Sequence, residues 1–390
     1  MILVCNAGSS SCKFGLYDDD ANETATGEID WKVDPHAAEL VIERAGNAPQ
    51  KSQHEVRDFH AAVAVALEAL VGKAERAQVR AVGQRVVHGG AKLTKSVRID
   101  DEVRREIERM VAVAPLHNPP ALQAIDAVGK ALPDVPQVAV FDTAFYAGLA
   151  PEHYVFPVPY AWFSEWGVRR FGFHGISHGY CAGRARELYG GRQDARIVSC
   201  HLGNGCSITA TRGERAVATT MGFTPIDGLM MGTRAGAVDP GVLLYVQEQR
   251  GLDARAVDEA LNHDSGLKGV SGVSSDYREV ERAAAEGDAR ARLALDIYAV
   301  RVRQAIGAMA VTLGGVDALV FTAGVGEHSA ALRRAACEGL ACIGVQLDAR
   351  ANDGGHGDRD VATSTSGARV LVLHTREELV IARETKRAIA

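Results

Sequence analysis

The sequence predicts an α/β protein of two related lobes, and three observations carry that expectation. Apolar, β-rich runs alternate with helical patterns along the whole chain, and 390 residues are more than one core ordinarily organises. One strand, turn, strand pattern also occurs twice. VCNAGSSSCKFGLY (Val4 to Tyr17) aligns with SCHLGNGCSITATR (Ser199 to Arg212), placing Cys5 on Cys200, Gly8 on Gly203 and Ser11 on Cys206, an offset of 195 residues or half the chain. Short turns draw on few residue types, so chance similarity is the alternative to duplication. The half-chain offset favours duplication.

In chain order, strands are expected at Ile2 to Cys5, Cys12 to Tyr17, Val82 to Val87, Val138 to Phe141, Ile197 to Cys200, Ser207 to Thr211, Ala318 to Thr322 and Val370 to His374. Helical spacing of apolar residues marks Phe59 to Val71, Asp101 to Val113, Asp253 to Asn262, Ala289 to Leu313, Ser329 to Leu340 and Glu377 to Ile389. Asp100 is a suitable N-cap for the second of these helices. Pro115, Pro119 and Pro120 stop it and leave APLHNPP as a rigid loop. Asn352 to Gly367, rich in Gly, Asp, Ser and Thr, reads as a polar surface loop.

Composition narrows the function. With 47% apolar and 24% charged residues and only 12 prolines, the chain is an ordered globular protein. A net charge of −6 without a basic block argues against nucleic acid as a partner. Seven cysteines without CxxC spacing fit a reducing cytosol better than a disulfide framework or a structural zinc site. The start MILVCNAG lacks a basic n-region, and no run of 18 apolar residues follows, so the expected location is cytoplasmic, with no membrane partner.

Several motifs place reactive side chains beside glycines or strand ends. In NAGSSSCK, backbone amides and hydroxyls can converge on an anion, with Lys13 adding a point charge. Read alone, a plain hairpin with a solvated lysine explains it as well, and the sequence does not match the GxxxxGK[ST] phosphate loop. The second copy, HLGNGCSI, sets Ile208 where the first has Lys13. FTAGVGEHS (Phe321 to Ser329) is a further glycine turn between strand and helix, short of a dinucleotide fingerprint. Asp142 follows a buried strand at its carboxyl end, where α/β sites lie; a turn aspartate is the alternative. His174 and His178 stand four apart, but Gly175 and the lack of a glutamate beside His174 disfavour zinc.

Taken together, NAGSSSCK, RVVHGG, APLHNPP, FDTAF, FGFHGISH, HLGNGCSI, MGFTPIDGLMMGTRAG, GVSSDYRE, FTAGVGEHS and REELVIARET resemble, in this order, the motifs of acetate kinases. That family shares the superfamily of sugar kinases, chaperone ATPases and actin. The resemblance implies two duplicated ribonuclease-H-like lobes with a nucleotide cleft between them, residues 1–146 with 380–390 forming one lobe and 147–379 the other. It implies reversible phosphoryl transfer from ATP to acetate, Mg²⁺ (with Mn²⁺ as the alternative), and a homodimer. By resemblance Asn6 and Glu377 hold the metal, and Ser9, Ser11 and Lys13 belong to the phosphate turn. Arg85 and Arg234 are the substrate arginines, Asp142 is the catalytic carboxylate, and His117 and His174 lie near the transferring phosphoryl. Val87, Leu116, Phe173 and Pro225 match the methyl pocket. His201, Leu202, Gly203, Asn204 and Gly205, then Asp276, Tyr277 and Arg278, then Gly324, Val325, Gly326, Glu327 and His328 match the nucleotide segments. Ala235, Ala237, His328 and Arg376 depart from the commonest family pattern. Alternatives are a kinase for propionate or another short fatty acid and, remotely, a nucleotide-driven interaction module.

Overall fold

A computed structural model describes residues 1–8, 11–30, 38–44, 46–56, 59–72 and 76–390. The chain forms two compact units, Met1–Ala147 with Arg376–Ala390, and Gly148–Thr375. Unit 1 contains β1 (Ile2–Ala7), β2 (Ser11–Tyr17), β3 (Glu23–Asp30), β4 (Ala38–Arg44), β5 (Gln50–His54), β6 (Ala81–Val86), β7 (Val97–Arg98) and β8 (Gln137–Phe141), in sheet order β5-β4-β3-β2-β1-β6-β8-β7. Unit 2 contains β9 (Arg196–Leu202), β10 (Cys206–Arg212), β11 (Arg215–Thr219), β12 (Ala318–Thr322), β13 (Arg359–Asp360) and β14 (Arg369–Val372), in order β11-β10-β9-β12-β14-β13.

The two orders coincide from β3 to β7 and from β11 to β13. In each, an antiparallel hairpin is followed by two parallel neighbours and an antiparallel edge strand. Alternation along the strands sends successive side chains to opposite faces. In unit 1, Leu3, Cys5, Phe14 and Val82 join the core shared with the helices Phe59–Leu70 and Asn118–Ala131. The opposite face carries Ala81, Gly83 and Arg85, and there the helix Glu377–Ile389 packs so closely that a Cβ on Gly83 would collide with Thr385 and Ile381. In unit 2 the helix Gly175–Leu188 covers Ile197 and Val320 through Cys181 and Ala185. Each covering helix follows the last strand pair of the other repeat in the chain.

Asp100 does cap its helix, accepting from the Glu102 and Val103 amides at 3.0 and 2.9 Å. That helix ends at Arg109 and passes into a 3-10 turn, Met110–Ala112. The APLHNPP segment differs from the rigid loop expected. Pro119 and Pro120 occupy the first turn of the helix Asn118–Ala131, where a missing N–H costs nothing, so the prolines that close one helix open the next. The Asn352–Gly367 stretch is mostly loop, but it begins in the helical turn Ala349–Asp353 and contributes β13 to the sheet edge.

The repeat also needs a shift of one residue. Ala7 pairs with Cys12, whereas Leu202 pairs with Cys206. The first turn is thus one residue longer, and Cys206 corresponds to Cys12 rather than to Ser11. The counterpart of Lys13 is therefore Ser207, not Ile208: Lys13 lies opposite Asn6 and Ser207 opposite His201.

Candidate active site

In unit 1, Asn6 and Arg85 stand near the carboxyl ends of the neighbouring parallel strands β1 and β6, on the face covered by the C-terminal helix. That helix begins with Glu377 and Glu378, and the four side chains meet. Arg85 donates from Nη1 to Asn6 Oδ1 at 3.1 Å and from Nη2 to Asp142 Oδ2 at 2.7 Å; its Nε lies 3.9 Å from Glu377 Oε2. Asn6 donates from Nδ2 to Glu378 Oε1 at 3.1 Å. Asp142 opens the turn after β8 and is 1% exposed. Burial works against the Arg85 charge, and the Asp142 and Glu377 carboxylates more than restore it, holding the guanidinium cationic. Burial pushes the Glu377 carboxyl up to about 7; Arg85 opposes this, while Asp142 and Glu378 reinforce it. Lys13 is on the exposed rim of β2, 3.9 Å from Glu28. Ser11 accepts the Gly8 amide at its carbonyl, closing the turn; Ser9 lies outside the described residues.

The RVVHGG and APLHNPP segments are joined by a residue that sequence reasoning missed. Asn118, fully buried, accepts the His88 amide and donates to the His88 and Ile107 carbonyls, each at 3.1 Å. This clamp fixes Val87, which is buried, against the loop that carries Leu116, which is 41% exposed, and His117. No signal beyond its place in the motif distinguished Asn118, since its partners are backbone atoms of a distant segment.

Unit 2 holds a histidine and serine network. His174 caps the helix Gly175–Leu188 in the left-handed region, with φ of 56°. Its Nδ1 lies 2.9 Å from Ser207 Oγ, which is also 2.7 Å from His178 Nε2; His178 Nδ1 lies 2.6 Å from Ser199 Oγ. His201 stacks on His174 with ring centroids 4.2 Å apart and meets Ser177 Oγ at 2.8 Å. Burial, and secondarily His201, holds the His178 pKa well below its ordinary value, so this imidazole is neutral. His178 is thus hydrogen-bonded at both ring nitrogens, and Ser199 and Ser207 are additions that only the strand register reveals.

The glycine turn Gly203–Gly205 lies against this network. A Cβ on Gly205 would stand 3.2 Å from His174 Nε2 and 3.7 Å from Arg234 Nη1. One on Gly203 would stand 3.7 Å from the Cβ of Ala323, whose φ is 64°. Two of the three non-glycine residues with positive φ among the described residues therefore flank one turn, the kind of strain that collects at functional sites. Arg234 donates to the Pro225 carbonyl at 3.3 Å, and burial draws its guanidinium below the ordinary range. Phe173 and Pro225 are buried.

The remaining expected residues separate into two groups. Gly324 to His328 lie in the short helix Ala323–His328 that leaves β12, and the buried Arg333, which the sequence did not single out, donates to the Gly326 and Glu327 carbonyls at 2.8 Å. His328 Nδ1 returns to the Gly324 carbonyl. Asp276 caps the helix Tyr277–Ala285 and grips the exposed Arg278 through two bonds of 3.0 and 2.6 Å, while Tyr277 is buried edge-on to Tyr298.

For a divalent cation, the residues of unit 1 fit. Asp142 Oδ1 is buried and has no hydrogen-bond partner among the described residues. No group of three His, Cys, Asp or Glu gathers as a metal cage among those residues. Mg²⁺ characteristically needs none, taking one or two carboxylates with water and phosphate oxygens. The Asn6 amide is engaged at both of its polar atoms, leaving one lone pair on Oδ1.

The model of the acetokinase family matches residues 1–383. An acetate kinase of Nostoc punctiforme is 47% identical over 98% of each chain. The crystal structure of Porphyromonas gingivalis acetate kinase superposes with a TM-score of 0.90 at 39% identity, covering 100% of this chain and 99% of that one. A propionate kinase from Francisella tularensis superposes with a TM-score of 0.91 at 35% identity over 99% of each.

Proposed function

The chain belongs to the acetokinase family, and from that premise we propose that it is an acetate kinase, transferring a phosphoryl group reversibly from ATP to acetate with Mg²⁺. The observation that carries the reading is the Arg85 guanidinium held between Asp142 and Asn6, beside a buried carboxylate oxygen that has no partner among the described residues. Acetate, with a pKa near the roughly 4.3 of a glutamate side chain, is already ionised at neutral pH and needs no general base. The barrier is the approach of one anion to another, followed by charge spread over the phosphoryl oxygens. Arg85 offers its remaining N–H groups to that charge, and Asp142 orients the guanidinium rather than accepting a proton. Arg234 is the second substrate arginine, Lys13 adds charge at the phosphate turn, and His174 and His117 donate to the phosphoryl oxygens. Asp142 and Glu377, with Asn6, would hold Mg²⁺, which when bound neutralises phosphate charge. The segments at His201 to Gly205, Asp276 to Arg278 and Gly324 to His328 bind the nucleotide.

Val87, Leu116, Phe173 and Pro225 supply the apolar contacts for the methyl group. The propionate kinase likeness keeps a longer acid in view, since one methylene changes binding by only about 1–3 kcal/mol. Comparing kcat/KM for acetate, propionate and butyrate decides between them. The same reading makes the enzyme a cytoplasmic homodimer. The helix Pro240–Arg250 buries none of its residues and exposes Val242, Leu244 and Tyr245, an apolar face suited to a second copy. Among the described residues no helix is long and apolar enough to cross a membrane. Acetate-dependent ADP formation, with the acyl phosphate trapped as hydroxamate, tests the activity; ADP formation indifferent to acetate overturns it.

A further inference from the structure

The histidines of unit 2 are joined in a chain whose protons can be placed one by one. Ser199, His178 and Ser207 are each fully buried, so none of them exchanges partners with bulk water. Among the described residues Ser199 Oγ has two acceptors in reach, His178 Nδ1 at 2.6 Å and the Thr209 carbonyl at 3.5 Å, and the second distance is at the outer limit of a hydrogen bond. The Ser199 proton therefore belongs to His178 Nδ1. A neutral imidazole carries one N–H, so His178 is protonated at Nε2 and donates to Ser207 Oγ at 2.7 Å. Ser207 then turns its own proton to His174 Nδ1 at 2.9 Å. The opposite ordering would send the last proton into the 3.5 Å gap.

We propose that Ser199, His178 and Ser207 form a buried positioning relay that fixes His174 as the Nε2–H tautomer, so that the uncharged ring donates a hydrogen bond on the side of the Gly203–Gly205 turn and Arg234. The geometry at the outer end agrees, since His174 Nε2 is among the atoms nearest to where a Gly205 side chain would begin, with Arg234 Nη1 beside it. The relay lets the His174 ring donate to a phosphoryl oxygen without first acquiring a proton. Ser207 occupies the register position held by Lys13 in unit 1. The two repeats thus address anionic oxygens by different means, an ammonium in one and a tautomer-locked imidazole in the other. The inference rests on the proposed phosphoryl role of His174 only for its catalytic consequence.

The test is a long-range ¹H–¹⁵N correlation spectrum of the full chain labelled at histidine, with the His174 signals identified by their loss in His174→Asn. The expected wild-type pattern is a protonated Nε2 and an unprotonated Nδ1. Ser207→Ala and Ser199→Ala should each shift His174 toward a tautomer mixture and lower kcat roughly tenfold with KM for acetate and ATP nearly unchanged, while Ser207→Thr, which retains the hydroxyl, restores the wild-type pattern. Should Ser207→Ala fail to fold, Ser199→Ala, remote from His174, carries the test. A wild-type His174 protonated at Nδ1, or a tautomer unmoved by either alanine variant that folds, overturns the relay. A separate result isolates the catalytic premise. If the spectra are as expected yet His174→Asn keeps full kcat, the tautomer assignment stands and the phosphoryl role of His174 falls.

Discussion

Asn6 and Lys13 in unit 1 occupy the register positions that His201 and Ser207 occupy in unit 2. Around the first pair the covering helix begins with Glu377 and Glu378, and around the second it begins at His174 with Ser177 and His178 in its first turn. One architecture therefore presents carboxylates and an arginine in one unit and imidazoles and hydroxyls in the other. Their exposure differs as well: the Lys13 side chain is 55% exposed, while Ser207 is fully buried. The comparison teaches that the hairpin and its covering helix fix where side chains converge, whereas local burial decides which chemistry can survive there.

Exchanging the two chemistries is the most damaging way to break this comparison. Ser207→Lys would bury an ammonium beside the His174 and His178 rings, and a loss of several kcal/mol, read as a large fall in Tm or failure to fold, is expected. Wild-type thermal stability would mean that the two positions are interchangeable. Next in size, Arg85→Ala should lower kcat by about 10²–10³, because it removes the proposed donors to developing charge and breaks the bond to Asp142. A loss below tenfold would place the catalytic charge elsewhere.

Acid should weaken both units through buried neutral histidines. Burial holds His88 in unit 1 at about 4, against roughly 6.5 unfolded. His178 in unit 2 is depressed in the same direction. The folded pKa is lowered, so the contribution of His88 is complete above about pH 6.5 and disappears as pH falls through 4, up to about 3 kcal/mol for this residue. Urea denaturation at pH 7 and pH 4.5 measures the loss, and His88→Gln should flatten it; an unchanged slope in the variant would assign the acid sensitivity to other groups. The smallest effect on folding belongs to Lys13→Ala, which should leave Tm nearly unchanged while lowering kcat/KM about tenfold. If activity per folded molecule is unaltered, Lys13 is a solvated lysine on a plain hairpin.

Elements were legible in the sequence where one strong signal dominated. Most of the parallel strands carry apolar runs, as at Ile2–Cys5, Val138–Phe141 and Ala318–Phe321, because both of their faces are covered. β3 was not recognisable: in Glu23–Asp30 only Ala25, Gly27 and Ile29 alternate inward, two of them too small to register as apolar. The helices Gly175–Leu188 and Asn118–Ala131 were missed because glycines and prolines at their starts read as breakers, although at a first turn they are tolerated. The duplication was visible, but its alignment slipped by one residue because only the strand pairing exposes the longer first turn.

By itself the sequence determined the family, the α/β alternation and the residue types able to meet a phosphate, because these depend on composition, periodicity and motif order along the chain. Tertiary structure decided what those residues do to one another. It set Arg85 between Asn6 and Asp142, left one Asp142 oxygen unpartnered among the described residues, made Ser207 the counterpart of Lys13, and used Asn118 to hold the carbonyl of His88 thirty positions away and Arg333 those of the preceding short helix. Such relations depend on strand register and on burial between residues up to hundreds of positions apart, and neither is written in local sequence.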